Sequence, residues 1–366
     1  MKSGNTTRHD EVIGVVGLGA IGRGIVACCL ARGFAVVGID REQSNCQRLS
    51  VYLPEARAQC VEAGVIDADD PDDWQTRLEL PADLASIGRA CLVIEAITED
   101  LPSKLQLLQE IEGIVPADAL IGSNTSAFPI TALQQGCTHP DRIFGMHWSS
   151  HGHLTRFMEL TPGEQTSPQT MSRAAEIAAR LGKEPAVLKK DVPGFLCNRI
   201  AYAMYREAVY LLESGVADAE TIERSFRNSV GLWAAMCGPL RVIDVLGGGA
   251  FYAEAVKGVL PTLASSTQLP ATLQSFIDRD AQGPKNNIGF FNYSEGDEAE
   301  WAKRFTAAIL ATKNYQDQFI PREHVAKSLR DLEQPPSAAK CQSRRDGPTK
   351  QTPLNGPNDE NEKEKQ

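Results

Sequence analysis

The chain has 366 residues, a net charge of −10 and a balance of 42% hydrophobic to 23% charged residues, ordinary for a soluble globular protein. That length is too great for one small core and predicts two domains; the acidic balance argues against nucleic acid as the main partner, because phosphate binding needs a basic surface. No stretch is apolar and long enough to span a bilayer, no apolar signal core precedes the first strand, and nine scattered cysteines without a C-x-x-C read as reduced thiols of a cytoplasmic protein.

Residues 12–16 (VIGVV) are a short apolar run suited to a buried parallel strand. A glycine-rich turn follows, then a predicted helix over 21–32 ended by Gly33 and a strand over 34–39. This is a β–α–β unit. Further along, 53–63 suits a helix and the acidic 68–74 a solvated turn. Strands are predicted at 91–97, 119–123 and 142–146, with a helix over 101–112 that carries Pro102 at its start. Alternating strands and helices imply a doubly wound α/β sheet over 1–190. The character changes near Asp191-Val192-Pro193-Gly194. Helices predicted at 199–214, 219–229 and 249–260 give a mostly helical second domain over 191–330. The tail, 331–366, has almost no large apolar residues and cannot offset its ordering entropy by burial, so it is predicted to be disordered.

Residues 17–22 read GLGAIG, a G-x-G-x-x-G between a strand and a helix, and Asp40 ends the next strand 18 residues later. That context makes a dinucleotide fingerprint of Gly17, Leu18, Gly19, Ala20, Ile21 and Gly22. Gly17 allows the tight turn, Gly19 lets backbone approach a pyrophosphate at the helix N-terminus, and Gly22 lets helix and strand pack closely. A carboxylate at Asp40 accepts from the adenosine ribose hydroxyls and repels a 2′-phosphate, which favours NAD over NADP, with Arg41 beside it as a counterweight. The plainer alternative is a tight turn whose aspartate only caps the next helix.

Together, GLGAIG with Asp40, VIEAITED (93–100), SNTSA (123–127), GMH (145–147), Glu159, DVPGFLCNR (191–199) and GPKNNIGFFNY (283–293) resemble the 3-hydroxyacyl-CoA dehydrogenases and their relatives acting on other β-hydroxy acids. The resemblance covers about residues 10–315. It implies a Rossmann domain followed by a helical domain through which members dimerise, with NAD as cofactor and a small β-hydroxyacyl substrate. It places the catalytic histidine at His147, its carboxylate partner at Glu159, and the groups holding the substrate oxygen at Ser126 and Asn198. Those residue types suit alcohol oxidation. Histidine takes a hydroxyl proton near neutral pH while hydride leaves carbon. A carboxylate on the other ring nitrogen fixes the tautomer, and Ser126 and Asn198 bond the oxygen whose character changes. The resemblance also puts Glu99, Lys104, Ser126, Ser150 and Lys285 on the cofactor; for Lys104 and Lys285, plain surface charge is the competing reading.

The sequence departs from the family's H-F-F-N-P after the histidine. Here it reads H-W-S-S-H-G, with Ser150 in place of an amide, and adds His151 and His153. The Ser and Lys that contact coenzyme A have no clear match, the nearest positions being Ala56, Arg57 and Ala63. The reading put first is oxidation of a short-chain 3-hydroxyacyl-CoA such as 3-hydroxybutyryl-CoA to the 3-ketoacyl-CoA; the alternatives are the same chemistry on a free β-hydroxy acid of the carnitine or gulonate kind, a non-catalytic dinucleotide-binding protein, and a metal site on His147, His151 and His153. Gly152 opposes the helix that this last set needs, and hydride transfer needs no metal.

Overall fold

The computed structural model describes residues 11–320 and Arg322; the tail expected over 331–366 lies outside them. The first part is built from β1 (Val12–Val16), α1 (Ala20–Ala31), β2 (Ala35–Ile39), α2 (Gln43–Glu62), β3 (Leu78–Glu79), β4 (Leu92–Glu95), α3 (Leu101–Ile114), β5 (Leu120–Ser123), α4 (Ile130–Leu133), β6 (Ile143–His147), β7 (Glu159–Pro162), α5 (Pro168–Arg180) and β8 (Ala186–Val187). These strands form one eight-stranded sheet in the order β3-β2-β1-β4-β5-β6-β7-β8. It is parallel from β3 to β6, and β7 runs antiparallel to β6.

Strands β1, β4, β5 and β6 are buried at every position, which is why they read as continuous apolar runs and not as alternation. Two apolar clusters cover the sheet: one packs α1, α2 and α5 through Ile25, Leu49 and Met171, the other α3 and α4 through Leu108 and Leu133. From β1 the chain builds outward through β2 and β3, then crosses to β4 on the other side. That reversal leaves a crevice at the carboxyl ends of β1 and β4, where α/β sheets bind ligands.

Several elements differ from the sequence expectation. Helix α2 begins at Gln43, not near 53, and runs through Pro54. Its first ten residues bury only Leu49, so no apolar stripe marks them; the stripe Leu49, Leu53, Ala56, Cys60 holds the helix together despite the proline. Strand β7 (ELTP) starts on a charge and ends on proline, a poor strand signature. Helix α5 is alanine-rich, capped by Ser167, whose hydroxyl accepts from Thr170 N at 3.1 Å.

The remainder is helical: α6 (Cys197–Glu213), α7 (Ala219–Asn228), α8 (Val230–Ala234), α9 (Pro239–Val245), α10 (Gly248–Ala255), α11 (Ala271–Asp278) and α12 (Asp297–Phe319). Between Cys197 and Ile320, only Val209, Val242 and Lys313 are buried among the described residues. Helix α12 returns to the sheet domain. Lys313 Nζ donates to Ala63 O at the end of α2 (2.7 Å), and Arg156, after β6, pairs with Asp317. No helix among the described residues is long and apolar enough to cross a membrane.

Candidate active site

The turn after β1 is glycine by necessity. Gly17 sits at φ +99, and a Cβ there would lie 2.4 Å from Ala96 O; one at Gly22 would lie 1.9 Å from Gly17 O. A Cβ on Gly19 would meet nothing within 4 Å, so the side of the turn at the start of α1 is open. Leu18 is buried, and Ala20 and Ile21 form the first turn of α1, whose leading N–H groups have no intrahelical acceptor. Asp40 faces this turn from the end of β2. Its Oδ2 accepts from Leu18 N (2.7 Å) and Asn45 Nδ2 (3.1 Å), and its Oδ1 from Glu42 N (2.8 Å). Three of about four carboxylate acceptor sites are used, which leaves one for a ligand hydroxyl. Gly17, Gly19, Asp40, Ala96 and Ile97 line a cleft of about 680 Å³.

The second half of the site lies at the end of β6. Antiparallel pairing sets His147 directly opposite Glu159, so the two side chains share a face and meet, Nδ1 to Oε2, at 2.8 Å. Glu159 is 1% exposed, and its Oε1 accepts from Leu196 N (3.0 Å) and Cys197 N (2.8 Å) at the start of α6. Burial raises the Glu159 pKa, but the bonds from His147, Cys197 N and Leu196 N prevail and hold it below the usual carboxylate range. A carboxylate only accepts, so Nδ1 carries the proton and Nε2 is left as an acceptor. It faces the Ser126 hydroxyl at 3.2 Å. Asn198 Nδ2 donates to Ser126 O at 3.0 Å. Ser126, His147, Glu159 and Asn198 are thus one connected set, drawn from a loop, two strands and the first helix of the second domain. Phe157 and Phe195 flank the imidazole, each with ring centroids 5.6 Å from it. Phe195 is fully buried at φ +51, a left-handed non-glycine position that no sequence signal marks.

The other expected residues are placed as follows. Glu99 Oε1 gathers Thr125 Oγ1 (2.6 Å), Ser126 N (3.0 Å) and Ala127 N (3.0 Å). Lys104 is neither a surface charge nor open to a cofactor. Its side chain is 1% exposed, and its ammonium is taken up by Glu95 Oε1 (2.6 Å), Glu99 Oε2 (3.2 Å) and Ile97 O (3.4 Å). Glu95, fully buried, is the residue sequence reasoning missed; it stands in the quoted VIEAITED motif but on an apolar strand. Ser150 is exposed, and Lys285 is exposed in the turn between Gly283 and Ile288. Among the described residues no side-chain hydrogen bond joins either to the His147 set.

His151 and His153 face away from the His147 set. His153 accepts from Tyr52 OH at Nδ1 (3.1 Å) and donates from Nε2 to Gln59 Oε1 (2.8 Å), both on α2. Burial, with His151 and Lys183 nearby, pushes its pKa down to about 3. His151 Nε2 bonds Thr306 of α12 at 3.2 Å. Beneath the loop, the buried Lys183 donates to the carbonyls of Gly152 and Thr155 and lies over the Trp148 ring. Among the described residues no group of three His, Cys, Asp or Glu is placed to hold a metal ion.

Residues 12–192 match the NAD-binding domain of 3-hydroxyacyl-CoA dehydrogenase, and residues 194–293 match that family's C-terminal domain. The chain belongs to the 3-hydroxyacyl-CoA dehydrogenase family. It is an NAD-dependent dehydrogenase of that type, acting on a CH–OH group. A probable 3-hydroxybutyryl-CoA dehydrogenase of Deinococcus radiodurans is 32% identical over 282 residues, 76% of this chain and 99% of that protein. The 5-formyl-3-hydroxy-2-methylpyridine 4-carboxylate 5-dehydrogenase of Mesorhizobium japonicum is 34% identical over 236 residues, 64% of this chain and 75% of that one. Among solved structures, a dehydrogenase acting on the same pyridine carboxylic acid, described as an NAD⁺-dependent dismutase, superposes with TM-score 0.78 at 28% identity, covering 84% of this chain and 98% of that one. The (S)-3-hydroxybutyryl-CoA dehydrogenase of Ralstonia eutropha gives 0.63 at 29% identity, covering 78% and 99%.

The glycine turn fits the dinucleotide. The open side of Gly19 admits a pyrophosphate against the start of α1, and Asp40 retains one acceptor site for the ribose. Arg41 is 86% exposed with Glu42 3.7 Å away, so the rim near Asp40 carries two carboxylates to one guanidinium. Asp40→Ala is therefore expected to weaken NAD about 10-fold or more, since hydrogen bonds to charged groups are worth about 1.5–3 kcal/mol, and to weaken NADP less. Dissociation constants for both reduced cofactors, read by nicotinamide fluorescence, check this. Equal losses would place Asp40 away from the ribose.

Proposed function

We propose that this dehydrogenase oxidises the hydroxyl of a small β-hydroxyacyl compound, with His147 as the general base. The carrying observation is the imidazole held at Nδ1 by Glu159 with its free Nε2 toward Ser126. NAD, when bound, supplies the hydride acceptor. The substrate hydroxyl gives its proton to His147 Nε2, and the imidazolium so formed is stabilised by Glu159, which the α6 amides keep ionised. Ser126 Oγ and the second amide hydrogen of Asn198 bond the oxygen as it becomes a carbonyl. Glu99 sits between Thr98 and Asp100, both in the wall of the cleft, and serves the nicotinamide ribose from its half-exposed side.

For the acyl carrier, α2 favours a free acid over coenzyme A. Coenzyme A brings phosphates that need cations. Ala56 and Ala63 are buried, and Arg57 is taken by Asp72 (3.3 Å) and by Asp70 O (2.7 Å). A second reading is favoured by the resemblance to the Mesorhizobium enzyme, whose name specifies a formyl-bearing carboxylate. A hydrated aldehyde is itself a CH–OH group, and the same base and hydride acceptor would take it to the acid. The test is NAD or NADH with acetoacetyl-CoA, 3-hydroxybutyryl-CoA, carnitine, gulonate and aromatic aldehyde carboxylates, followed at the nicotinamide absorbance. Turnover of free acids and not of the thioesters is expected. Turnover of thioesters alone would overturn the free-acid reading, and none with any compound would overturn the function.

We further propose a homodimer through the helical part. Ile200, Leu232, Leu240 and Phe251 are 57–79% exposed there, and large apolar side chains on the helical part suit burial against a second copy. Light scattering on a sizing column is expected to give twice the chain mass. A monomer at micromolar concentration would refute it.

A further inference from the structure

We propose that the cleft between residues 154–157 and helix α12 is the subsite for the apolar substituent on the carbinol carbon of the substrate. The inference rests on the reading of His147 given above and narrows its substrate class: a β-hydroxy acid whose substituent is an alkyl or aryl group larger than methyl.

Helix α12 starts at Asp297, beyond the residues 194–293 that match the family's C-terminal domain. Phe305, Ile309, Lys313 and Asp317 recur every fourth residue along it and so share the face turned to the sheet domain. Toward the end of the helix, Lys313 donates to Ala63 O and pairs with Asp317, and Asp317 also holds Arg156. Arg156 Nη1 in turn donates to Ile320 O (3.2 Å) and pairs with Glu184. Nearer its start, Thr306 Oγ1 bonds His151 Nε2, and the Phe305 ring lies 5.8 Å from the His151 ring. The helix is thus tied to the loop that follows His147, and between the two is a cleft of about 530 Å³, within the range of small-molecule sites.

The lining says what would enter. Leu154 and Phe157 form one wall, and Phe305, Ala308 and Ile309 the other. Its charged groups, Arg156, Glu184 and Lys313, are already paired with one another or with Asp317, so none is free to take a phosphate or a second carboxylate. Phe305 is 54% exposed: among the described residues nothing covers it, and an apolar ligand would. Phe157 joins the cleft to the chemistry. It lines the wall and stands nearly perpendicular to the His147 imidazole, with ring centroids 5.6 Å apart. A carbinol with its hydroxyl at His147 Nε2 then runs its substituent past Phe157 toward Ile309.

Chain length tests this. Burying one methylene is worth about fourfold in affinity, so kcat/KM with NAD is expected to rise about 10-fold from 3-hydroxybutyrate to 3-hydroxyhexanoate, given as free acids or, where only those turn over, as thioesters. Ala308→Phe fills the cleft from a side chain that makes none of the ties, and is expected to bring that ratio near one. Thr312→Phe, one turn further on, serves if the first variant fails to fold. A merely structural role would lower kcat/KM for both compounds alike and keep the ratio; that result, or a wild-type ratio of one, overturns the subsite. A flat profile together with a halved mass of Ala308→Phe on a sizing column assigns the cleft to a second copy and overturns it equally. Calorimetry of butyrate and hexanoate, which carry no hydroxyl, on the enzyme with NADH separates the subsite from the reaction. Hexanoate is expected to bind about 10-fold tighter, and Ala308→Phe to erase the difference. That pattern with no turnover of any β-hydroxy compound overturns the functional reading and upholds the subsite; turnover without a preference for hexanoate overturns the subsite alone.

Discussion

His147→Ala is expected to lower kcat by about two to four orders of magnitude, the usual contribution of a positioned general base, while NADH affinity stays within about threefold. The reason for the split is spatial. The dinucleotide contacts expected from the turn at Gly17–Gly22 and from Asp40 come from β1, α1 and β2, whereas His147 ends β6, on the far side of β4 and β5 in the sheet. Removing the imidazole takes away the proton acceptor and leaves those elements untouched. It also leaves Glu159 without its cross-strand partner, but the amides of Leu196 and Cys197 still hold that carboxylate, so the fold is expected to survive. His153→Ala is the control: both its ring nitrogens serve α2, so its loss should lower Tm and spare kcat. Equal losses of kcat from the two variants would move the base elsewhere.

Glu159→Gln is expected to cost nearly as much, roughly 100- to 10,000-fold in kcat, by reversing the imidazole. Two amides point at the side chain from α6 and demand an oxygen. The Gln NH₂ is then turned to His147 Nδ1, which has to accept, and the proton moves to Nε2, where no base remains. The same variant has a signature in stability. Glu159 is held below its ordinary value of about 4.5 in the folded chain, by bonds that outweigh its burial. A group so depressed stabilises the fold fully above its unfolded pKa and loses that contribution as pH falls through the folded value. The difference in unfolding free energy between wild type and Glu159→Gln should therefore be large at neutral pH and shrink below about pH 4. Urea titrations across that range read it directly; a gap that does not change with pH would show that the carboxylate is not the charged partner supposed here.

What was legible in the sequence follows the range of the interactions concerned. Gly17, Gly22 and Asp40 are readable because they belong to one continuous β–α–β stretch: Gly17 turns the chain at φ +99, a Cβ at Gly22 would strike Gly17 O, and Asp40 accepts from Leu18 N. Strands β1, β4, β5 and β6 announce themselves because burial on both faces leaves no polar alternation. His147 and Glu159 are different. Their contact depends on β7 doubling back on β6, and β7 carries no apolar pattern, so only the resemblance named Glu159. The burial of Lys104 was not legible, because a lysine on a helix carries no local mark of whether it meets solvent, a cofactor or, as here, the buried carboxylate of Glu95 one strand end away. Arg156 and Asp317 stand 161 residues apart, and no composition or spacing foretells that α12 closes back on the sheet domain.

The antiparallel pair at the end of the sheet has a consequence for how such enzymes diversify. His147 and Glu159 are locked to one another by strand register, at the point where the two strands part. Between them runs the loop from Trp148, which ties through His153 to α2, through Trp148 to Lys183, and through His151 and Arg156 to α12 and Glu184. That loop, with Ser150, His151 and His153 on it, can therefore vary, and so meet different molecules, without disturbing the register that holds His147 against Glu159.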